Sequence, residues 1–233
     1  MMEIKELSFE YGDGKKALDR ISLEIDEGEF VLLTGPSGSG KSSLVRCLNG
    51  LIPNFYGGRI GGSVMVDGKE ATSTPTREMA KTVGMVFQDP ESMFICNEVE
   101  SEIGSANDAM TAQLRGRSLH TLSGGEKQMV AISSVFAKKP RVLVLDEPLS
   151  ELDHSSADKL MGVLKGLNDR GATIILIEQR TERVYGYASR EVAMEGGRVV
   201  YDGKPRMDGG RPPTPSAKPG RELVELELSF SYG

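Results

Sequence analysis

The segment Gly35–Ser42 limits the folds that are available to this chain. Its sequence, G-P-S-G-S-G-K-S, matches the pattern G-x-x-x-x-G-K-[ST] at every fixed position. The apolar run Phe30–Leu33 before it predicts a buried strand, and helical spacing resumes over Ser43–Leu48. A strand, a glycine-rich turn and a helix in this order predict a loop that binds phosphate groups at a helix N-terminus.

The residue types in this segment suit that chemistry. Glycines let backbone N–H groups close around an anion, Lys41 can reach the β- and γ-phosphate oxygens, and the Ser42 hydroxyl can ligate Mg²⁺. The plainer alternative is a glycine-rich turn with an unrelated lysine. The flanking strand and helix favour the phosphate-binding loop.

Composition sets limits on partners and compartment. The 233 residues, 38% of them hydrophobic, suffice for one large domain or two small ones. A formal net charge of −6 argues against a dominant nucleic-acid-binding face. Apolar runs are too short for a membrane span, so a membrane role would need partner subunits. Cys47 and Cys96 lack metal-like spacing, which favours a reducing, cytosolic setting.

Two adjacent carboxylates follow the apolar run Val142–Leu145, which predicts a central parallel strand. The carboxyl end of such a strand is where an α/β sheet carries its functional groups. We interpret Asp146 as holding Mg²⁺ through water and Glu147 as polarising the attacking water. Gln88, after the predicted strand Lys81–Phe87, is a candidate contact for Mg²⁺ or water. Solvated polar groups at strand ends are the alternative.

Ser123 and Glu126 have the spacing of a capping box at the start of a helix. Gly124 and Gly125 between them weaken that helix by roughly 1 kcal/mol each relative to alanine. A capped helix with no further role is one interpretation. Close approach of the backbone to an anion is the other, and it accounts for the glycines.

The remaining patterns predict the elements around these motifs. Tyr11 lies near a predicted turn, where its ring could stack on a purine. The other predicted elements are antiparallel strands at Met2–Phe9 and Ala17–Ile25, a short edge strand at Gly62–Gly68, weakly helical surface segments within Glu98–Leu119 that can bury little by themselves, a helix from Ser155 to Gly171, a buried strand at Ala172–Ile177 and a hairpin at Glu191–Tyr201.

Taken together, these motifs resemble those of the nucleotide-binding subunits of ABC transporters. They occur in the order phosphate loop, Gln88, L-S-G-G-E from Leu122, L-D-E-P from Leu145 and S-E-L-D from Ser150. The resemblance implies an α/β P-loop NTPase over residues 1–203. It would have a mainly parallel core sheet, an N-terminal antiparallel β-subdomain and a short helical subdomain at about residues 89–135.

The resemblance also implies a head-to-tail dimer that binds two ATP molecules with Mg²⁺. Each ATP would lie between Gly35–Ser43 of one subunit and Ser123–Glu126 of the other, with Tyr11 on the adenine and Asp153 bridging the halves. The implied nucleotide-binding residues are Tyr11, Gly35, Pro36, Ser37, Gly38, Ser39, Gly40, Lys41, Ser42, Ser43, Ser123, Gly124, Gly125, Glu126 and Asp153. The implied metal contacts are Ser42, Gln88 and Asp146, and the implied catalytic residues are Lys41, Gln88, Glu147 and Gln179.

The function implied is that of a cytoplasmic ATPase, peripheral on the inner face of the cell membrane, that powers import through membrane subunits. N-G-L-I-P from Asn49, Y-G-G from Tyr56 and Q-D-P-E-S from Gln88 look like energy-coupling-factor and cobalt-type importers of vitamins and metal ions. Membrane subunits select the substrate in such systems, so this sequence does not specify it. We expect no nucleic-acid partner and no direct membrane insertion.

Gln179 departs from the family pattern, which has a γ-phosphate-contacting histidine at this position. Glutamine can donate a hydrogen bond but cannot carry the imidazolium charge, so we expect slow turnover. The alternative function is a nucleotide-gated dimerisation module with little or no hydrolysis. In addition, Gln88 and Leu122 are closer in sequence than the family implies. Either the helical subdomain is reduced or residues are missing from this sequence, and docking to the transporter is in question.

An internal repeat lies at the end of the sequence. E-L-S-F-E-Y-G at Glu6–Gly12 recurs at Glu227–Gly233 with one substitution, and residues 204–220 are rich in proline and glycine. Two similar edge strands are the plainer interpretation. We predict instead a linker at 204–220 and, at 221–233, the beginning of a second, truncated domain of the same kind. The chain would then be the first half of a tandem ATPase.

Overall fold

The computed structural model describes residues 1–104, 111–150, 152–179 and 181–206, and two β-sheets organise them. The strands are β1 (Met2–Tyr11), β2 (Lys16–Ile25), β3 (Phe30–Thr34), β4 (Gly58–Val66), β5 (Lys69–Glu70), β6 (Val83–Val86), β7 (Val142–Asp146), β8 (Thr173–Ile177), β9 (Arg190–Glu195) and β10 (Arg198–Gly203). The helices are α1 (Lys41–Leu48), α2 (Leu51–Asn54), α3 (Thr76–Met79), α4 (Val99–Ile103), α5 (Gly124–Phe136) and α6 (His154–Asn168).

The smaller sheet is antiparallel, with strand order β2-β1-β4-β5. The predicted pairing of the first two strands is confirmed, with Met2 opposite Ile25. The prediction of a short edge strand near residue 62 is wrong, because β4 starts at Gly58 and lies between β1 and β5. A glycine at 58 permits this pairing, since a Cβ there would lie 2.3 Å from the Glu10 carbonyl oxygen.

The larger sheet is mainly parallel, with strand order β10-β9-β3-β8-β7-β6. β3 pairs in parallel with β8 and β9, and β7 pairs in parallel with β6 and β8. All residues of β3, β7 and β8 are buried, as expected for strands covered on both faces. The predicted parallel core is confirmed, and the carboxyl ends of β3, β6, β7 and β8 meet at one edge.

Separate apolar clusters cover the two faces of the larger sheet. Val31 and Leu33 of β3 point to a cluster shared with α1 and the antiparallel sheet, whereas Phe30 and Leu32 point to a cluster shared with α5 and α6. Helix α6 contributes the predicted apolar stripe, except that Val163 is only half-buried. Because successive β3 side chains pack on opposite faces of the sheet, the register of β3 is fixed. The position of the loop that follows β3 is fixed with it.

The helical segment that follows β6 in the chain has a small apolar cluster. Its described part contains α4 and short 3₁₀ turns at Ala112–Leu114 and Leu119–Thr121. Val99, Ile103, Leu114, Leu119 and Leu122 of the segment form this cluster together with Val130 of α5. A helical turn, α2, also occupies part of the breaker-rich stretch after α1. Within the described ranges, no helix is both long and apolar enough to cross a bilayer.

Candidate nucleotide-binding site

The loop between β3 and α1 depends on glycine at two positions. Gly35 has φ +134°, and a Cβ there would lie 2.1 Å from the Met194 carbonyl oxygen. Gly40, just before the first helical residue, has φ +103°. At Gly38, where φ is +78°, a Cβ would meet nothing within 4 Å, so this part of the loop faces open space.

Lys41 lies across this loop. Its Nζ donates hydrogen bonds to the carbonyl oxygens of Gly35 at 2.7 Å and Pro36 at 2.9 Å. Burial lowers the pKa of Lys41, and the fields of Glu147 and Asp146 partly oppose that shift. A buried ammonium held beside a phosphate-sized space is suited to binding an anion.

Ser42 and Asp146 bring oxygen ligands together from α1 and the end of β7. Burial raises the pKa of Asp146, and a hydrogen bond from the Ser42 hydroxyl acts in the opposite direction. A hydroxyl and a carboxylate are ligands that Mg²⁺ accepts. The described residues contain no cluster of three His, Cys, Asp or Glu side chains that could hold a metal ion. The Ser42 hydroxyl and the Asp146 carboxylate fit Mg²⁺ whose other ligands are phosphate and water oxygens.

Glu147 is the meeting point of three strand ends. Gln88, after β6, donates from Nε2 to Glu147 Oε2 at 3.3 Å, and Gln179, after β8, donates from Nε2 to Oε1 at 2.6 Å. Glu147 also has φ +49°, a conformation that non-glycine residues adopt rarely and that Glu6, Arg20, Asp67 and Lys139 share in this chain. The structure thus places both glutamines on the carboxylate proposed to orient water.

A cavity of about 450 Å³ joins these groups to Tyr11. The Tyr11 and Ser43 hydroxyls hydrogen-bond at 2.9 Å, which fixes the ring at the cavity wall. The predicted residues that line the cavity are Tyr11, Ser37, Gly38, Gly40, Lys41, Ser42, Ser43, Gln88, Asp146 and Glu147. Asp13, Lys15 and Ala17 also line it, and sequence reasoning missed them; their nearness to Tyr11 in the β1–β2 turn was the available signal.

The capping motif lies elsewhere in the chain. Ser123 caps α5 as predicted, donating its N–H to Glu126 Oε2 at 2.8 Å, and Arg117, which sequence reasoning missed, donates to Glu126 Oε1 at 2.7 Å. Ser123, Gly125 and Glu126 line a separate cavity of about 890 Å³. Asp153 caps α6 by accepting the Ser156 N–H at 2.9 Å. The fold of one chain therefore does not bring these residues into the cavity that contains Lys41.

The fold and site define the class of P-loop NTPases, with a mainly parallel sheet and a phosphate-binding loop between β3 and α1. A family model described as ABC transporter matches residues 18–150. The chain belongs to this family, that of the ABC transporter ATP-binding domains, which bind ATP with Mg²⁺ and hydrolyse it.

Curated relatives carry matching descriptions. A putative ABC transporter ATP-binding protein of Pyrococcus horikoshii is 40% identical, over 88% of this chain and 80% of that protein. One of Methanosarcina mazei is 38% identical, over 85% of this chain but only 37% of that protein. The chain thus spans little more than a third of the length of several relatives that it matches.

Solved structures confirm the fold class. CbiO1 from Clostridium perfringens, described as part of the ABC transporter complex CbiONQ, is 28% identical with a TM-score of 0.77, over 87% of this chain and 88% of that one. The ATP-binding cassette MJ0796, solved as a dimer bound to ADP and phosphate, is 25% identical with a TM-score of 0.75, over 90% and 100% of the two chains.

Proposed function

We propose that this chain is the ATP-hydrolysing motor of a transporter and that Glu147 orients the attacking water. One observation carries the proposal: the Glu147 carboxylate, held by two glutamine amides, lines the same cavity as Lys41 and Asp146. A positioned carboxylate beside a phosphate-binding lysine is the arrangement that ATP hydrolysis needs.

The residues that line the cavity have separate roles in this proposal. Lys41 and the glycines of the loop bind the phosphates, and Tyr11 stacks on the adenine. Ser42, Asp146 and Gln88 hold Mg²⁺, which supplies charge neutralisation at the β- and γ-phosphates when bound. Gln179 donates to Glu147 without carrying a charge, so the transition state receives less electrostatic stabilisation than an imidazolium would give, and turnover is slow.

The second half of each ATP site comes from another ATPase domain in this proposal. Gly124 and Gly125 present backbone N–H groups at the start of α5, between the two residues of the capping box and outside the cavity that contains Lys41. The structure of MJ0796 was solved as a dimer, which supports a site shared by two domains. The repeat of Glu6–Gly12 at residues 227–233, which lie outside the described part of the chain, and the greater length of several relatives support a tandem partner. In that arrangement residues 204–220 are a linker.

Membrane subunits complete the proposed transporter. N-G-L-I-P from Asn49 and the likeness to CbiO1 support an importer of the energy-coupling-factor type, which takes up a vitamin or a metal ion. The ATPase then acts at the inner face of the cell membrane, without inserting into it and without a nucleic-acid partner.

Steady-state turnover of Mg-ATP tests the enzymatic part of this proposal. We expect measurable phosphate release that falls by about 100-fold in Lys41→Ala, because the loop loses its buried cation. Lys165→Ala is the matched control, since Lys165 is a partly exposed lysine of α6 that pairs with Asp169, outside the nucleotide cavity. Equal turnover in the unmodified chain and Lys41→Ala, with ATP bound to the unmodified chain, would contradict the proposal.

A further inference from the structure

The backbone N–H of Leu149 donates its hydrogen bond to a buried side-chain carboxylate. Residues 147–150 form the turn after β7, in which Pro148 has no N–H, and the Leu149 N–H donates to Glu178 Oε1 at 2.8 Å. Leu149 is 6% exposed and Glu178 is 3% exposed, so this hydrogen bond is excluded from water. A buried carboxylate at the end of β8 therefore holds the backbone of the turn.

The two residues that flank Glu178 also hold this turn. The Glu147 N–H donates to the Ile177 carbonyl oxygen at 3.0 Å, and Gln179 donates to the Glu147 carboxylate. Three consecutive residues, 177–179, at the end of β8 and directly after it, thus contact the turn. Since Glu147 has φ +49°, its backbone keeps this conformation only where the surroundings impose it.

We propose that Glu178 is a positioning residue for ATP hydrolysis, because its carboxylate fixes the turn from which the Glu147 side chain projects. The inference rests on the proposed role of Glu147. Glu178 does not line the nucleotide cavity, so we expect its loss to leave the groups that bind ATP in place. A small displacement of a reacting group costs rate rather than affinity, and the effect falls on kcat.

Variants of Glu178 test this through kcat and KM measured separately. Glu178→Ala removes the acceptor, and we expect kcat to fall about 10-fold while KM for ATP stays constant. Glu178→Gln keeps an oxygen acceptor, and we expect this variant to retain most of the kcat of the unmodified chain. Glu70→Ala is the matched control: the Glu70 carboxylate also accepts a backbone N–H, from Val64 at 3.0 Å, but in the antiparallel sheet. It leaves kcat unchanged.

Hydrogen exchange at the Leu149 amide gives a readout that does not depend on turnover. Exchange is faster in Glu178→Ala and unchanged in Glu147→Gln, which loses turnover by another route. Unchanged exchange at Leu149 in Glu178→Ala overturns the inference, and so does unchanged kcat in that variant when Glu147→Gln is inactive. Full turnover in Glu147→Gln counts instead against the proposed function.

Discussion

Gln179 places a neutral side chain against the Glu147 carboxylate. Its amide holds Glu147 Oε1 at 2.6 Å, so it positions the carboxylate but adds no charge. We expect Gln179→His to raise kcat about 10-fold near pH 6, because an imidazolium can both donate and stabilise developing charge. The gain fades as pH rises through the imidazole pKa of about 6.5, since the charged form is the acidic one.

The pH profile of kcat from pH 5.5 to 8.5 measures this effect. The unmodified chain serves as the reference, because glutamine does not titrate in that range. Gln113→His, at an exposed position on the helical segment, controls for the mere addition of a histidine. A gain in Gln179→His that is equal at every pH would contradict the charge explanation and assign the effect to geometry.

How much of the site the sequence predicts depends on whether its residues are neighbours in the chain. Lys41, Ser42, Asp146 and Glu147 lie in short motifs whose spacing carries their chemistry, so each could be named in advance. The contact of Gln179 with Glu147 depends instead on the parallel pairing of β7 with β8. No local pattern specifies which side chains such pairing brings together.

Asp19 connects a strand of the smaller sheet to a strand of the larger sheet through hydrogen bonds. It lies in β2 and accepts hydrogen bonds from Lys16 Nζ at 2.6 Å and from Arg198 Nε of β10 at 2.6 Å. These bonds lower the pKa of Asp19 from 3.8 to about 2. Because the folded-state pKa is depressed, the carboxylate stabilises the fold fully above pH 3.8 and loses this effect as pH falls toward 2.

We therefore expect Asp19→Asn to lower the free energy of unfolding at pH 7, and the difference from the unmodified chain to vanish as pH approaches 2. Urea unfolding at a series of pH values measures it. Asp169→Asn is the control, since its exposed pair with Lys165 contributes little. A difference that persists undiminished at pH 2 would show that the loss comes from packing rather than charge.

Local patterns predicted most elements, and β4 shows where they fail. The strands β3, β7 and β8 were evident because they are continuous apolar runs between turn residues. The sequence G-R-I-G-G at the start of β4 lacks such a pattern. Its strand conformation comes from pairing with β1, with Tyr11 opposite Gly58, a contact between distant segments that outweighs low strand propensity.

At the scale of the whole molecule, the two cavities of one chain each hold only part of the residues implied to bind ATP. Lys41 and Tyr11 line one, and Ser123 and Glu126 line the other. An intramolecular site would require the start of α5 to move to the phosphate loop, but Val130 of α5 is packed in the cluster of the helical segment. The proposed pairing of two ATPase domains would complete both cavities without that rearrangement.

This geometry predicts nucleotide-dependent association. In Glu147→Gln, where ATP persists, we expect ATP to shift the chain from monomer to dimer, and ADP not to, since the γ-phosphate adds charge for the backbone N–H groups of Gly124 and Gly125 to bind. Sedimentation velocity with and without nucleotide measures the shift. Adding Ser123→Arg blocks it by placing a bulky side chain at the start of α5, whereas Lys165→Ala does not. ATP binding without any change in mass would contradict a homodimer and leave a second, tandem domain as the partner of this one.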